Sequence, residues 1–142
     1  MGRPGPWRFP VSRNRGVNPG VTLDAGPLIA LDRADRRVIV LLARADQTGA
    51  PVIVPGTALA QAIRDPARQS RLARLLRQPR THVAPLGRVD ATDVGRLLAA
   101  SRSTDIADAH VVICARRSGT GVVTSDPDDL RRLDPELSLT AI

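Results

Sequence analysis

The sequence predicts an α/β domain in which a central parallel sheet of about five strands carries helices on both faces. Short apolar runs alternate with helix-length segments from residue 21 onward. These runs are apolar throughout, instead of alternating with polar residues, which is typical of parallel strands covered on both sides. A length of 142 residues suits one domain with a sizeable core.

Each element is predicted from its own residues. Val and Ile runs predict strands, and apolar residues spaced three or four apart predict helices. The predicted strands are 21–24, 51–54, 81–84, 122–124 and 137–142. The predicted helices are 27–34, 36–47, 57–64, 67–77, 91–101, 106–117 and 127–132. In such sheets, sites lie beyond the carboxyl ends of the strands, where the strand order reverses.

Residues 1–20 are predicted to form a flexible basic extension ahead of the domain at 21–142. They are rich in Pro, Gly, Arg and Asn and show no apolar period. The extension is either a basic arm that contacts RNA, a disordered tail, or the product of a start codon placed too early.

The composition excludes several chemistries. All 21 basic residues are arginines, so a P-loop lysine, a Schiff base and a receiver-domain lysine are unavailable. The net charge of +7 favours an anionic partner, either nucleic acid or an acidic protein. Cys114 is the only cysteine, so no internal disulfide can form, and it is expected to be a small buried apolar residue. The chain lacks a long apolar segment and a signal-like start, so we expect it in the cytoplasm.

Four aspartates are candidate site residues. Asp24 closes the first predicted strand, Asp126 follows the fourth, and Asp105 and Asp108 open the helix before it. Their side chains converge if the first and fourth strands are neighbours. Each aspartate could equally cap a helix. Capping, however, needs only one carboxylate at each helix start, and nothing requires the caps to meet. Carboxylates that do meet repel one another, so such a cluster needs a bound cation or retained protons.

An all-oxygen cluster predicts Mg²⁺ or Mn²⁺ as the bound ion. Zinc is disfavoured because His82 and His110 are far apart in sequence and Cys114 has no second thiol nearby. Both histidines are expected to be structural or surface residues, although His110 lies only two residues after Asp108.

Three segments resemble the PIN-domain family, in particular VapC-type toxin ribonucleases, and the resemblance covers about residues 21–142. The segments are 21–31, 105–110 and 123–130. The resemblance implies a PIN-like three-layer domain that hydrolyses RNA phosphodiester bonds with Mg²⁺ or Mn²⁺. It also implies two protein partners, a small antitoxin and a second copy of the chain. The implied metal-site residues are Asp24, Asp105, Asp108 and Asp126, with Asp24 and Asp108 as the direct ligands.

The sequence departs from the family where a glutamate usually follows the second strand, because Gln61 occupies that position. Glutamine offers a carbonyl oxygen without charge. Asp65 lies one turn later, next to Pro66, and Glu136 is too far along the chain to substitute. We expect activity to be retained, with Thr104 and Ser125 orienting waters. The alternative is a catalytically weakened module that binds RNA or protein.

Two further interpretations concern other parts of the chain. A receiver-like or phosphatase-like domain with Asp24 as nucleophile is disfavoured by the missing lysine. Arginines recur every third residue near the predicted helix 67–77, and they form either a solvated face or a track for RNA phosphates or an acidic antitoxin segment. These arginines are Arg68, Arg71, Arg74, Arg77 and Arg80.

Overall fold

A computed structural model describes residues 18–142, and it confirms the predicted α/β class. Five parallel strands form one sheet in the order β3-β2-β1-β4-β5. The strands are β1 (Asn18–Leu23), β2 (Val52–Pro55), β3 (Thr81–Ala84), β4 (Thr120–Thr124) and β5 (Leu139–Ala141). The strand order therefore reverses between β1 and β4, which are direct neighbours.

Helices cover the sheet and make it a PIN-like three-layer domain. They are α1 (Ala25–Asp32), α2 (Arg36–Thr48), α3 (Gly56–Ala62), α4 (Ser70–Leu76), α5 (Arg88–Ser101), α6 (Ile106–Ser118) and α7 (Pro127–Leu133). The long helix α6 packs on β1, β2 and β4 and also contacts α3, α5 and α7. It carries an almost unbroken buried face because it lies across the centre of the sheet.

The core is aliphatic. Leu23 of β1, Ile53 of β2 and Leu28 of α1 are fully buried, as are the α6 residues Val111 and Val112. Truncation of such a residue to alanine typically lowers the free energy of unfolding by about 2–5 kcal/mol. The central strands are therefore held firmly, and so are the residues that follow their carboxyl ends.

The amino-terminal boundary differs from the expected one. Strand β1 begins at Asn18, three residues before the predicted start, and its register shifts between Asn18 and Val21. Gly20 permits this, because a Cβ there would lie 2.6 Å from the Pro51 carbonyl oxygen. Residues 18–20 of the predicted flexible extension thus belong to β1, and its other residues, 1–17, lie outside the described part of the chain.

The predicted helix 67–77 is divided. A short 3-10 turn over Pro66–Arg68 precedes α4, and Gln69 separates them with φ −103° and ψ 54°. Its side-chain amide donates to Asp32 Oδ2 at 2.7 Å and to the Ala62 carbonyl oxygen at 2.9 Å. These long-range bonds fix a break that helical periodicity could not reveal.

The edge strand β3 is less covered than predicted, since Val83 is 45% exposed. Within residues 18–142, no helix is both long and apolar enough to cross a bilayer.

Candidate acidic site

The candidate site lies at the carboxyl edge of the sheet, where β1 and β4 run side by side. The backbone N–H of Asp24 donates to the Val123 carbonyl oxygen at 3.1 Å, which ties the end of β1 to the end of β4. Asp24 Oδ1 accepts from the Ala25 N–H, and Oδ2 accepts from Thr124 Oγ1, both at 2.8 Å. Asp24 is 7% exposed and its carboxylate is held by two hydrogen bonds, so its position is fixed by the fold.

Asp126 reaches the same edge from β4. Its backbone N–H donates at 2.9 Å to Thr124 Oγ1, the hydroxyl that also donates to Asp24. The Asp126 carboxylate is exposed and makes no capping hydrogen bond to α7, although the residue precedes that helix. Asp129 raises its pKa most, and the charges of Asp128 and Asp24 add to the effect. Capping therefore does not account for the Asp126 side chain.

Helix α6 brings the other two predicted acids. Asp105 caps it, since its Oδ1 accepts from the Asp108 N–H at 2.9 Å. The pKa of Asp108 is raised from 3.8 to about 7, mainly by burial and then by the charges of Asp105, Asp24 and Asp129 in that order. Carboxylates from three separate segments thus act on one carboxyl group, but Asp126 is not among them. The convergence of all four aspartates therefore stays a prediction.

Asp129 was missed as a site residue. It lies in the first turn of α7 and raises the pKa of both Asp108 and Asp126. The signal was present, because Asp126 and Asp129 have the same i, i+3 spacing as Asp105 and Asp108. Its carboxylate also pairs with the exposed Arg132 at 3.3 Å.

Gln61 lies at the margin of the acidic cluster. It is exposed on α3 and lines a shallow cavity together with Thr57, Thr104 and Asp105. Gln61 therefore shares a cavity with Asp105, the capping aspartate of α6. Ser125 is exposed and lies against Gly26, where a Cβ would overlap its hydroxyl.

Neither possible substitute for the missing glutamate is placed to act as one. Asp65 is exposed ahead of the 3-10 turn and pairs with Arg68 at 3.4 Å. Glu136 lies between α7 and β5, before the strand and thus away from its carboxyl end.

The acids are near one another without forming a closed ligand set. Within residues 18–142, no three Asp, Glu, His or Cys side chains are gathered closely enough to hold an ion as they stand. Unscreened carboxylates repel, by roughly 1 kcal/mol per pair at 4 Å in water and more when desolvated. The donors are nevertheless carboxylate oxygens, which are the ligands that a hard divalent cation prefers. Asp24 is fixed in place, and Asp126 is exposed to solvent. The metal and its ligands remain a prediction.

The two histidines differ in exposure, and the cysteine is buried. His82 is exposed on the edge strand, whereas His110 is fully buried. Cys114 is also fully buried, and burial raises the pKa of its thiol well above the usual value. The expectation that Cys114 is buried is confirmed.

The arginines that recur every third residue, here called the arginine stripe, are all exposed to solvent. They are Arg68, Arg71, Arg74, Arg77 and Arg80. Arg71, Arg74 and Arg80 also line a cavity of about 330 Å³ whose apolar wall includes Leu42 and Leu75. The stripe therefore borders a groove between α2 and α4, a setting that its spacing alone did not predict.

Comparisons with known proteins find similarity of fold. A chain in the crystal structure of VapBC2 from Rickettsia felis, bound to a DNA fragment from their promoter, matches with a TM-score of 0.62 and 15% identity. The match covers 86% of this chain and 98% of that one. A chain of FitAcB from Neisseria gonorrhoeae matches with a TM-score of 0.58 and 15% identity, over 84% of this chain and 95% of that one. No family model and no curated protein sequence matches.

These findings correct the family assignment. Both neighbours are complexes whose names cover two components and do not say which one matches. At 15% identity the likeness is one of fold. The identification of a VapC-type toxin was therefore wrong as a family assignment, because no family model matches and a likeness at 15% identity extends only to the fold. The PIN-like fold stands.

Proposed function

We propose that this protein is a metal-dependent endoribonuclease whose site is the acidic cluster at the carboxyl edge of β1 and β4. The observation that supports it is the position of Asp108, whose pKa is raised to about 7 by burial and by carboxylates from α6, β1 and α7. A fold that gathers like charges in this way gains when a cation neutralises them.

The residues proposed to hold the ion are the four predicted aspartates. Asp24 and Asp108 are the direct ligands, and Asp126 and Asp105 bind directly or through water. Carboxylate oxygens and waters favour Mg²⁺ or Mn²⁺ over softer metals. Asp129 is close enough to add charge, and so it compensates in part for the neutral Gln61.

The reaction is hydrolysis of a phosphodiester bond. When bound, the ion supplies a hydroxide from water near neutral pH and stabilises negative charge on the phosphate. Asp24 gives the site a fixed position, because Thr124 and the Ala25 N–H hold both its oxygens. The hydroxyls of Thr104 and Ser125 orient waters at the rim.

RNA is the proposed substrate because the chain carries a net charge of +7 and exposed arginines. Contacts between arginine and phosphate supply affinity without reading sequence, and they weaken as salt increases. Aromatic stacking is not available to residues 18–142, since Trp7 and Phe9 are the only aromatic residues.

A toxin–antitoxin setting is also proposed, since VapBC2 and FitAcB are toxin–antitoxin complexes. The apolar groove between α2 and α4, bordered by Arg71, Arg74 and Arg80, suits an acidic amphipathic segment of a partner protein. A second copy of this chain remains a predicted partner.

The test combines a Mn²⁺ titration with cleavage of a structured RNA. Asp24→Asn and Asp108→Asn are expected to abolish Mn²⁺-dependent cleavage and to weaken Mn²⁺ binding strongly, while circular dichroism stays unchanged. Asp46→Asn is the matched control, because Asp46 is an exposed acid of α2 near the amino end of β2. Cleavage that survives in both site variants would remove the proposal.

A binding module that does not cleave is the second candidate, and the neutral, exposed Gln61 favours it. It predicts salt-sensitive RNA binding by the wild-type protein, with no cleavage at any Mn²⁺ concentration. The same titration therefore separates the two functions.

A further inference from the structure

We infer that a cavity along one side of α1 binds single-stranded RNA next to the acidic site, and that the Arg33 guanidinium contacts a backbone phosphate there. This inference rests on the proposed function, because it names the path of the same substrate. Three observations carry it. The cavity ends at the acidic edge, its arginine has no partner in the described part of the chain, and the charge of its one acid is already compensated.

The cavity, here called the α1 cavity, lies between α1 and the turn that joins β4 to α7. It has a volume of about 330 Å³ and is lined by Gly26, Ile29, Ala30, Arg33, Asp35 and Ser125. Positions 26, 29, 30 and 33 share one side of α1, because they are three or four residues apart. The volume is at the lower end for pockets that hold small molecules, so there is room for about one nucleotide.

One end of the α1 cavity is at the acidic site. Gly26 follows Asp24 by two residues, and Ser125 directly precedes Asp126. The two cavity residues are in close contact, since a Cβ at Gly26 would overlap Ser125 Oγ. An RNA strand with a phosphate at the acidic edge can therefore continue directly into the α1 cavity.

The other end of the cavity is at Arg33, the residue that follows α1. Its backbone N–H donates to the carbonyl oxygens of Ala30 at 3.1 Å and Ile29 at 3.3 Å, so its position is fixed by the helix. Seven residues separate Gly26 from Arg33, which corresponds to about 10 Å along the helix axis. A stacked nucleic-acid strand rises by about 3.4 Å per nucleotide, so Arg33 can reach a phosphate about three nucleotides from the acidic site.

The Arg33 side chain is available to a ligand. It is exposed, and no described residue accepts a hydrogen bond or an ion pair from its guanidinium. By contrast, Arg116 is paired with Asp134 at 3.0 Å, and Arg131 with Asp128 at the same distance. A basic residue at this end of a helix is favourable through the helix dipole, which accounts for its charge but not for its place in a cavity.

The one acid among the lining residues does not cancel this charge. Asp35 Oδ1 accepts from the Arg37 backbone N–H at 2.9 Å and from its Nε at 3.3 Å. Asp35 Oδ2 accepts from Arg37 Nη2, also at 2.9 Å. Arg33 is therefore the uncompensated charge of the cavity, and it attracts an anion. The half-buried Ile29 and Ala30 form an apolar wall between the two ends, which suits an uncharged ribose and base.

The first measurement is the binding of a labelled single-stranded RNA in EDTA over a range of salt concentrations, followed by fluorescence anisotropy. Arg33→Gln is expected to weaken binding about fivefold, the upper end of what an exposed ion pair contributes. It should also lower the slope of log affinity against log salt by about 0.7, the value for one phosphate contact. Arg33→Lys keeps the charge and should keep the slope. Arg36→Gln is the matched control, because Arg36 is exposed nearby but does not line the α1 cavity.

The second measurement tests the cavity without changing its charge. Ala30→Leu adds an apolar side chain to the wall, so RNA should bind severalfold more weakly with an unchanged salt slope. Ala99→Leu, at an exposed position of α5, is the control. Thermal unfolding of each variant checks the fold. If Arg33 served only the helix dipole, Arg33→Gln would melt at a lower temperature and bind RNA like the wild type, and the inference would be wrong.

The outcomes separate this inference from the proposed nuclease, because RNA binding in EDTA does not depend on cleavage. Equal RNA affinity of Arg33→Gln and Arg36→Gln, in a wild type that cleaves RNA, overturns the role of Arg33 alone. A wild type that binds no RNA overturns both proposals. Polyglutamate is the probe for a protein partner, and Arg33-dependent binding of polyglutamate without binding of RNA would also overturn the inference. Weaker RNA binding in both Arg33→Gln and Ala30→Leu, with both controls unchanged, supports it.

Discussion

Replacement of Asp108 by asparagine is expected to stabilise the metal-free protein at neutral pH. In the folded chain the pKa of Asp108 is about 7 against an ordinary value of 3.8, so the fold penalises its ionised form. That difference corresponds to about 4 kcal/mol for a fully desolvated group. The carboxyl is only partly buried, which reduces the penalty to about 1–2 kcal/mol. The substitution also removes a negative charge that is favourable at the start of α6, so the net gain in the free energy of unfolding is smaller by about a few tenths of a kcal/mol.

The direction in which stability changes with pH follows from proton binding to Asp108. Because the folded state holds the Asp108 proton more tightly, the stability that this group contributes is complete below about pH 4 and is lost as the pH rises through about 7. Urea denaturation in EDTA at pH 5 and pH 7.5 measures this. The wild type should lose about 1 kcal/mol more than Asp108→Asn over this interval, and the variant should be the more stable protein at pH 7.5.

Excess Mn²⁺ should reverse that order. A ligand at a hundred times its dissociation constant stabilises the folded state by about 2.7 kcal/mol, and this gain is expected for the wild type and not for Asp108→Asn. Asp46→Asn, outside the cluster, should follow the wild type in both conditions. If Asp108→Asn is less stable than the wild type in EDTA at pH 7.5, the repulsion argument is wrong.

Three further predictions follow from the same geometry. Because a cation must displace the Asp108 proton, Mn²⁺ affinity measured by calorimetry should fall about tenfold per pH unit below about pH 7, and a flat profile would contradict this. Gln61→Glu should tighten Mn²⁺ binding severalfold; an unchanged titration would place residue 61 outside the site. Gly26→Ala should destabilise the fold by about 1–3 kcal/mol, because its Cβ would overlap Ser125 Oγ, and Ser125→Gly in the same chain should restore thermal stability. If Ser125→Gly does not restore stability, the stability lost in Gly26→Ala must arise from the backbone of α1 and not from the overlap with Ser125.

The fold was predictable because each strand and helix is encoded locally. Val52-Ile53-Val54 is apolar throughout and is buried throughout, as expected of a central parallel strand. The break at Gln69 was not predictable, because it depends on Asp32, a residue distant in sequence that accepts from the Gln69 side chain. Likewise, the early start of β1 depends on contact between Gly20 and Pro51.

The acidic cluster was predictable from a single topological condition, that β1 and β4 are neighbours. Once they are, Asp24 and Asp126 must lie at one edge of the sheet. The buried contact between Asp90 of α5 and His110 of α6, whose Oδ2 and Nε2 lie 3.8 Å apart, could not be found in this way. Nothing in their spacing shows that α5 and α6 bring them together, and a lone histidine in an apolar helix is ordinarily a packed core residue.

Capping and metal binding need not exclude each other at this site. Asp105 caps α6 through Oδ1, yet its charge raises the pKa of Asp108. Asp24 accepts from the Ala25 N–H and still repels Asp108. Local bonds of this kind hold the charged groups in place in the absence of a cation, and their contribution offsets part of the repulsion between them. Asp126 makes no such bond to the backbone of α7, and its side chain is instead paired with Asp129, a contact that a cation between the two carboxyl groups would stabilise.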